Sequence, residues 1–262
     1  MKLKMYQVDA FTDKLFTGNP AAVVILESSI DDDVMQSVAF ENNLSETAFV
    51  CIYESPIYIR WFTPTIEVDL CGHATLASAK ILFEYYAELA GQEINFNSKS
   101  GILKVTKNKD DLCLNFPVDK PVLLNPDPLF EEILGIEPLE LHRGKDDYLA
   151  IFDNQKQIEQ IQPNLLLLSK LDSRGLVISA PGEQVDFVSR CFYPEAGIEE
   201  DPVTGSAHTM LTPYWANELD KYNLEANQLS KRGGKLTCVL ANNRVCISGK
   251  SVIFFEGIIS IV

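Results

Sequence analysis

Arg60-Trp61-Phe62-Thr63-Pro64, leading through Asp69 to Cys71-Gly72-His73-Ala74-Thr75, returns later in the chain as Arg190-Cys191-Phe192-Tyr193-Pro194, leading through Asp201 to Thr204-Gly205-Ser206-Ala207-His208. Each copy reads as R-x-F-x-P, an acidic residue, and a glycine that opens a small-residue run of helical pattern. Arg190 follows Arg60 by 130 residues in a chain of 262, so one unit used twice accounts for the whole length. The repeat predicts two similar lobes, with a site where their glycine turns face each other. The copies differ at one chemically telling place: Cys71 in the first is Thr204 in the second.

Outward from the first copy, residues 6–11 alternate like a strand, and Thr17-Gly18-Asn19-Pro20 reads as a turn before a buried strand over 21–26. Residues 31–42 read as a helix behind an acidic cap, with Val34, Val38 and Ala39 on one side. Residues 47–52 and 57–62 form a strand pair. From Gly72 to Tyr86 the pattern is helical and apolar almost all round, which predicts an enclosed helix rather than a surface one. Two more strands cross 94–116. Around the second copy, 176–180 and 185–192 are strands, and 205–219 is the matching helix, which Pro213 is expected to kink or end early. Strands over 236–240, 244–248 and 253–262 close the chain. Prolines interrupt the pattern over 116–121, which puts the lobes at 1–118 and 119–262, with the final strand free to pair with the first lobe. An enclosed helix wrapped by strands, twice over, predicts an α+β fold in which each lobe is a curved, barrel-like sheet around a central helix.

The formal net charge of −15 and pI near 4.6 disfavour nucleic acid and anionic membranes as partners, because both select basic surfaces. No apolar run reaches the roughly 18 residues of a membrane span. The start, Met1 to Asp9, goes directly into a strand-like pattern unlike a signal peptide, so a cytoplasmic protein is expected. Six cysteines, at 51, 71, 113, 191, 238 and 246, form no C-x-x-C pair, and reduced thiols are expected. Three histidines without ligand spacing argue against a zinc site. No dinucleotide fingerprint, Walker lysine or G-x-S-x-G elbow is present, so neither a cofactor nor serine-hydrolase chemistry is expected.

Gly72 and Gly205 each stand where a helix begins. Glycine there lets a ligand approach the backbone N–H groups of the first turn, and the helix dipole favours an anion. One such glycine is explained by a tight turn alone; the repeated pair points to a carboxylate site. Cys71 lies at a helix start, where a thiol pKa falls. Two-base racemisation needs a second thiol, and the Thr204 hydroxyl is far too weak a base, so a symmetric two-thiol mechanism is disfavoured. Cys71 as a small core residue is the alternative. Glu46, at the foot of an apolar strand, is a candidate proton shuttle if desolvated, and otherwise a surface or capping residue. His73 is pushed toward neutrality unless a carboxylate supports it, and Asp201 is a candidate for that carboxylate across the cleft. Ser206 is a candidate donor to a bound carboxylate. His208 packs or bonds locally, and His142 lies in an ordinary polar segment.

Taken together, Gly18-Asn19-Pro20-Ala21, Asn43-Leu44-Ser45-Glu46-Thr47, Phe62-Thr63-Pro64, Asp69 to Thr75 and Asp201 to His208 resemble the PhzF-like, phenazine-biosynthesis-type isomerase family, a relative of diaminopimelate epimerase. The resemblance spans essentially the whole chain in matching order. It implies the diaminopimelate-epimerase-like fold, a homodimer, no cofactor or metal, and a small carboxylate substrate similar to dihydrohydroxyanthranilate or an amino acid. It implies that Glu46 shuttles a proton between carbons with His73 and Asp201 in support. It further implies that Asn19, Gly72, Gly205 and Ser206 bind the substrate. Two rivals stand beside it: an epimerase or racemase using Cys71, and a metabolite-binding protein without turnover. Arg232-Gly233-Gly234-Lys235 fits the family's pattern without an assigned contact.

Overall fold

The computed structural model describes residues 1–261, which fall into two compact units: Met1–Asn115 with the chain from Ser248 onward, and Phe116–Ile247. The first unit contains β1 (Lys2–Ala10), β2 (Asn19–Leu26), α1 (Asp32–Asn42), β3 (Glu46–Cys51), β4 (Tyr58–Phe62), β5 (Glu67–Val68), α2 (Gly72–Tyr85), α3 (Ala87–Ala90), β6 (Glu93–Ser98), β7 (Gly101–Asn108) and most of β8 (Asp111–Pro117). The second contains β9 (Val122–Leu123), α4 (Pro128–Leu134), β10 (Glu140–Arg143), β11 (Asp147–Ile151), α5 (Gln155–Gln160), α6 (Leu165–Leu168), β12 (Gly175–Pro181), β13 (Phe187–Tyr193), β14 (Ile198–Asp201), α7 (His208–Leu219), β15 (Asn223–Gln228), β16 (Gly234–Ala241) and most of β17 (Arg244–Gly249). The last strand, β18 (Ser251–Ser260), pairs antiparallel with β1 in the first unit.

The internal repeat is visible strand by strand. In the first unit β1 and β2 are antiparallel, β2 and β3 parallel across α1, β3 and β4 antiparallel, and β4 touches β6 in parallel after α2. In the second unit β10 and β11 are antiparallel, β11 and β12 parallel across α5, β12 and β13 antiparallel, and β13 and β15 parallel after α7. β5 returns against β4 as β14 returns against β13. Both units are therefore mixed sheets with helical crossovers, an α+β fold. The sheet of the first unit runs from β18 to β8 without closing on itself, so the curved, barrel-like lobe expected from the sequence is an open sheet.

In both copies the arginine of the repeated phrase is a clasp. Arg60, on β4, donates to Glu67 of β5 at 2.7 and 2.9 Å and to Asp32 in the first turn of α1 at 2.6 and 3.0 Å. Arg190, on β13, donates to Glu200 of β14 at 2.6 and 3.0 Å and to the carbonyls of Ile158 and Ile161, at the end of α5, at 3.0 and 2.7 Å. Each guanidinium also lies over the phenylalanine two residues on, Phe62 or Phe192. One planar group with five donors thus fixes a crossover helix and a return strand to the same central strand.

Helix α2 is enclosed as its composition predicts: His73 to Ala79, Ile81 and Leu82 are all buried, and it packs on β1, β2, β3 and β18. Burial of Leu76, Ile81 and Leu82 contributes about 1.5–3 kcal/mol each. On α1 the buried residues are Met35 and Ala39, while Val34 and Val38 are only partly covered. Pro213 does not end α7, which continues to Leu219. A helical proline leaves the carbonyl four residues back without its donor. Here that carbonyl, Thr209, accepts instead from the Asp119 backbone N–H at 3.1 Å. The helix also starts later than expected, at His208, after a tight turn in which the N–H groups of His208 and Thr209 bond Gly205 and Ser206. Cys51, Cys71, Cys191 and Cys238 are buried thiols outside any disulfide; Cys113 and Cys246 are disulfide-bonded, unlike the reduced thiols expected.

Candidate active site

Three elements of the first unit bring four candidate residues together. Asn19 opens β2, Glu46 opens β3, and Cys71 and His73 begin α2. Because β2 and β3 run parallel, with Ala21 opposite Glu46, their starts lie side by side. Gly18 makes the approach to β2 possible. Its φ is +70°, and a Cβ there would meet the Ala10 carbonyl oxygen at 2.3 Å. Only glycine lets β1 turn back so that Ala10 pairs with Asn19.

His73 is the centre of the group. Its Nδ1 lies 3.2 Å from Asn19 Nδ2 and 3.5 Å from Cys71 Sγ, and its Nε2 lies 3.3 Å from Glu46 Oε2. Burial alone drives the imidazole pKa down to about 3, so the ring is neutral at physiological pH. An amide N–H can only donate, which makes Nδ1 an acceptor and puts the ring hydrogen on Nε2, which stands 3.3 Å from Glu46 Oε2 outside hydrogen-bond geometry. Glu46 is mostly covered, its side chain 14% exposed. A neutral imidazole beside this carboxylate brings no balancing positive charge. The carboxylate that this unit itself supplies to His73 is thus Glu46. Helix geometry leaves the first-turn N–H groups of α2, from Gly72 on, without intrahelical acceptors, beside this cluster.

Donor atoms of Glu46, Cys71 and His73 all lie within 4.8 Å of one another. These are metal-ligating residue types that sequence spacing did not bring together. Both nitrogens of the His73 ring already face protein groups, so ligation through either would break one of those contacts.

The second unit carries the other candidates in a hydrogen-bonded turn. Thr204 Oγ1 donates to Asp201 Oδ2, and the Thr204 N–H donates to Gln228 Oε1 at 2.8 Å. Gln228 Nε2 donates to the Asp201 carbonyl at 2.8 Å and to Thr204 Oγ1 at 3.2 Å. His208 Nδ1 donates to the Thr204 carbonyl at 2.8 Å. Gln228 and His208 are fully buried. Because Gln228 donates to the Thr204 hydroxyl, that hydroxyl must give its own hydrogen to Asp201. The residue standing where the first copy has a thiol is therefore an orienting donor to a carboxylate. Gly205 and Ser206 lie in the turn before α7, their carbonyls accepting from its first residues. Gln228 was not singled out from the sequence; a lone glutamine in a strand carries no local signal. His142 bonds Glu140 and stacks edge-on against Tyr214 in the second unit.

A family model described as phenazine biosynthesis-like protein, PhzC-PhzF, matches residues 8–257. An uncharacterised isomerase of Halalkalibacterium halodurans is 48% identical over 256 residues, covering 96% of each chain. A crystal structure of a phenazine biosynthesis protein of the PhzF family from Enterococcus faecalis superposes with a TM-score of 0.96 at 44% identity, covering all of both chains. A hydroxyproline epimerase from Agrobacterium vitis shares the fold alone, with a TM-score of 0.66 at 9% identity over 98% of this chain and 92% of its own. The chain belongs to the PhzF-like, phenazine biosynthesis-like family, and its fold is that of the epimerase-like α+β proteins.

Proposed function

We propose that the chain is an isomerase that needs no cofactor and moves a proton between two carbons of a small carboxylate, dihydrohydroxyanthranilate-like or amino-acid-like, with Glu46 as the acid/base. The isomerase class is supported by the relatives' printed names. The proton-transfer reading rests above all on one observation, the 3.3 Å approach of Glu46 Oε2 to the Nε2 of a neutral, buried His73. In this reading the Glu46 carboxylate takes a proton from a carbon next to the π-system, and the electron pair left behind spreads into that system. The glutamic acid so formed returns the proton to another carbon of the same system, which restores the carboxylate. His73, itself held by Asn19, presents its Nε2–H beside the carboxylate. N–H groups from Gly72 onward offset the charge that builds on the substrate carboxylate. Asp201, Gly205 and Ser206 keep the supporting and binding roles that the family resemblance gives them. The reading also takes the protein as a cytoplasmic homodimer without nucleic-acid or membrane partners; no helix among the described residues is long and apolar enough to cross a membrane.

The test is a screen of dihydroanthranilate-like and amino-acid carboxylates in deuterated water, read by NMR, with Glu46→Gln as control. A shifted double bond, or deuterium at a carbon, in the wild type but not in the variant is expected. Full turnover by Glu46→Gln would remove Glu46 from the chemistry. Saturable binding without exchange would favour the metabolite-binding reading. A second catalytic reading has its own observation: Cys71 Sγ lies 3.5 Å from His73 Nδ1, inside the same cluster. There the thiol would be a base in epimerisation. Cys71→Ser separates the two, since little change is expected if Glu46 carries the proton and loss of most turnover if the thiol does.

A further inference from the structure

The two units differ at three places that their strand registers match. Val68 pairs with Trp61, the residue after Arg60, and Asp201 pairs with Cys191, the residue after Arg190. Each also follows the clasped glutamate, Glu67 or Glu200. Asn97 pairs with Tyr58, two before Arg60, and Asn227 pairs with Val188, two before Arg190. The next residues, Ser98 and Gln228, are therefore counterparts, as Cys71 and Thr204 are before their glycines. Where the first unit has Val68, Cys71 and Ser98, the second has Asp201, Thr204 and Gln228. A valine side chain offers no acceptor, and the Ser98 hydroxyl donates to the Gly101 carbonyl at 2.8 Å inside its own hairpin. An acid–hydroxyl–amide chain can form at these positions only in the second unit.

Gln228 meets three atoms of the turn over 201–204. Its Oε1 takes the Thr204 N–H, one Nε2 hydrogen goes to the Asp201 carbonyl, and the other goes to Thr204 Oγ1. Turning the amide over would set N–H against N–H and oxygen against oxygen, so this orientation is the one that fits. The two bonds to backbone atoms suffice to hold the turn. The third adds nothing to the backbone. It occupies the hydroxyl oxygen and leaves the hydroxyl hydrogen to Asp201 Oδ2. Asp201 and Thr204 are each only 7% exposed, so water has little access to compete for that hydrogen.

We propose that Gln228 is a positioning residue for the isomerisation: acting through the Thr204 hydroxyl, it fixes one oxygen, and hence the plane, of the Asp201 carboxylate. That role rests on the proton-transfer reading, in which Asp201 supports the chemistry. A neutral amide suits the task because one group both donates and accepts. Gln228→Glu has nearly the same shape but cannot supply both donor bonds. It still accepts the Thr204 N–H. Once ionised, its second oxygen only accepts, and it draws the Thr204 hydrogen away from Asp201.

Neutron crystallography of the deuterium-exchanged full chain, as wild type and as Gln228→Glu, locates these hydrogens. In the wild type, two hydrogens on Gln228 Nε2 and the Thr204 hydroxyl hydrogen directed at Asp201 Oδ2 are expected. In Gln228→Glu, at a pH alkaline enough to ionise the new carboxyl, the hydroxyl hydrogen is expected to face position 228. Turnover of dihydrohydroxyanthranilate, followed by deuterium uptake at carbon, is expected to fall about 10²-fold, the scale of a catalytic group misplaced by about 1 Å. It is expected to fall further as pH rises and the new carboxyl ionises, whereas a glutamine that only held the backbone would cost the same factor at every pH. A wild-type hydroxyl hydrogen directed at Gln228, or wild-type turnover in Gln228→Glu, would overturn the proposal. If Gln228→Glu does not fold, the wild-type hydrogen positions decide it. Absence of turnover in the wild type would tell against the isomerase reading, while the hydrogen positions still decide whether Gln228 aims Asp201.

Discussion

Asn19 Nδ2 and His73 Nδ1 lie 3.2 Å apart although 54 positions separate them in the chain, and this one bond decides which His73 nitrogen carries the hydrogen. Asn19→Asp reverses the logic. A carboxylate accepts, so the hydrogen moves to Nδ1 and Nε2 loses its donor toward Glu46. ¹⁵N shifts of the His73 ring are expected to report the switch, and isomerisation is expected to fall about 10²-fold or more, the usual range for a misdirected acid/base group. An unchanged tautomer would show that Asn19 does not set it.

Acid stability tests the burial of the histidines. His73 is held down at about 3 and His208 at about 4, both chiefly by desolvation. An unfolded histidine titrates near 6.5. Between those limits the unfolded chain binds protons that the folded chain excludes. The stability owed to neutral, buried rings is therefore complete above about pH 6.5 and is lost as pH falls toward the folded values. Each ring adds a slope of up to about 1.4 kcal/mol per pH unit in that window. Urea unfolding of His73→Gln between about pH 7 and pH 5 is expected to show a shallower decline than the wild type. Equal slopes would mean that His73 is charged or hydrated in the folded state.

Thr204 offers a test of the turn in the second unit. Thr204→Val keeps the side-chain shape but removes one hydrogen bond from Asp201 and one from Gln228. A destabilisation of about 1–3 kcal/mol is expected, the range for disturbing buried polar groups, while Thr204→Ser should restore most of it. If valine is tolerated as well as serine in denaturant titrations, the hydroxyl does not order the turn.

Arg190→Ala removes the clasp of the second copy. The side chain of Arg190 is 9% exposed and that of its partner Glu200 is 25% exposed. Breaking a largely buried pair from one side costs about 3–5 kcal/mol, because the remaining charge stays in place. Arg60→Ala is expected to cost less, since Asp32, one of its two partners, is 71% exposed. Chemical unfolding of both variants checks the order; equal losses would refute the distinction.

Much of this molecule is legible in its sequence because its signals are local. Apolar residues on every face of 72–85 can satisfy themselves only inside a sheet, and α2 is enclosed. The phrase R-x-F-x-P repeats because each copy needs one guanidinium between a crossover helix and a return strand. The path of β18 back to β1 and the survival of α7 past Pro213 depend on partners far along the chain. In the latter case the partner is the Asp119 N–H, which takes the place of the donor that proline lacks.

For the candidate site, sequence by itself determined the residue types: a glutamate at a strand start, a cysteine, glycine and histidine opening a helix, and an asparagine after a turn. Tertiary structure decided their chemistry. Stripping water from His73 makes it neutral, Asn19 gives it a direction, and the parallel pairing of β2 and β3 brings Glu46 to its other nitrogen. Proton affinity and tautomer depend on what surrounds a group in three dimensions, and neighbours in sequence do not specify those surroundings.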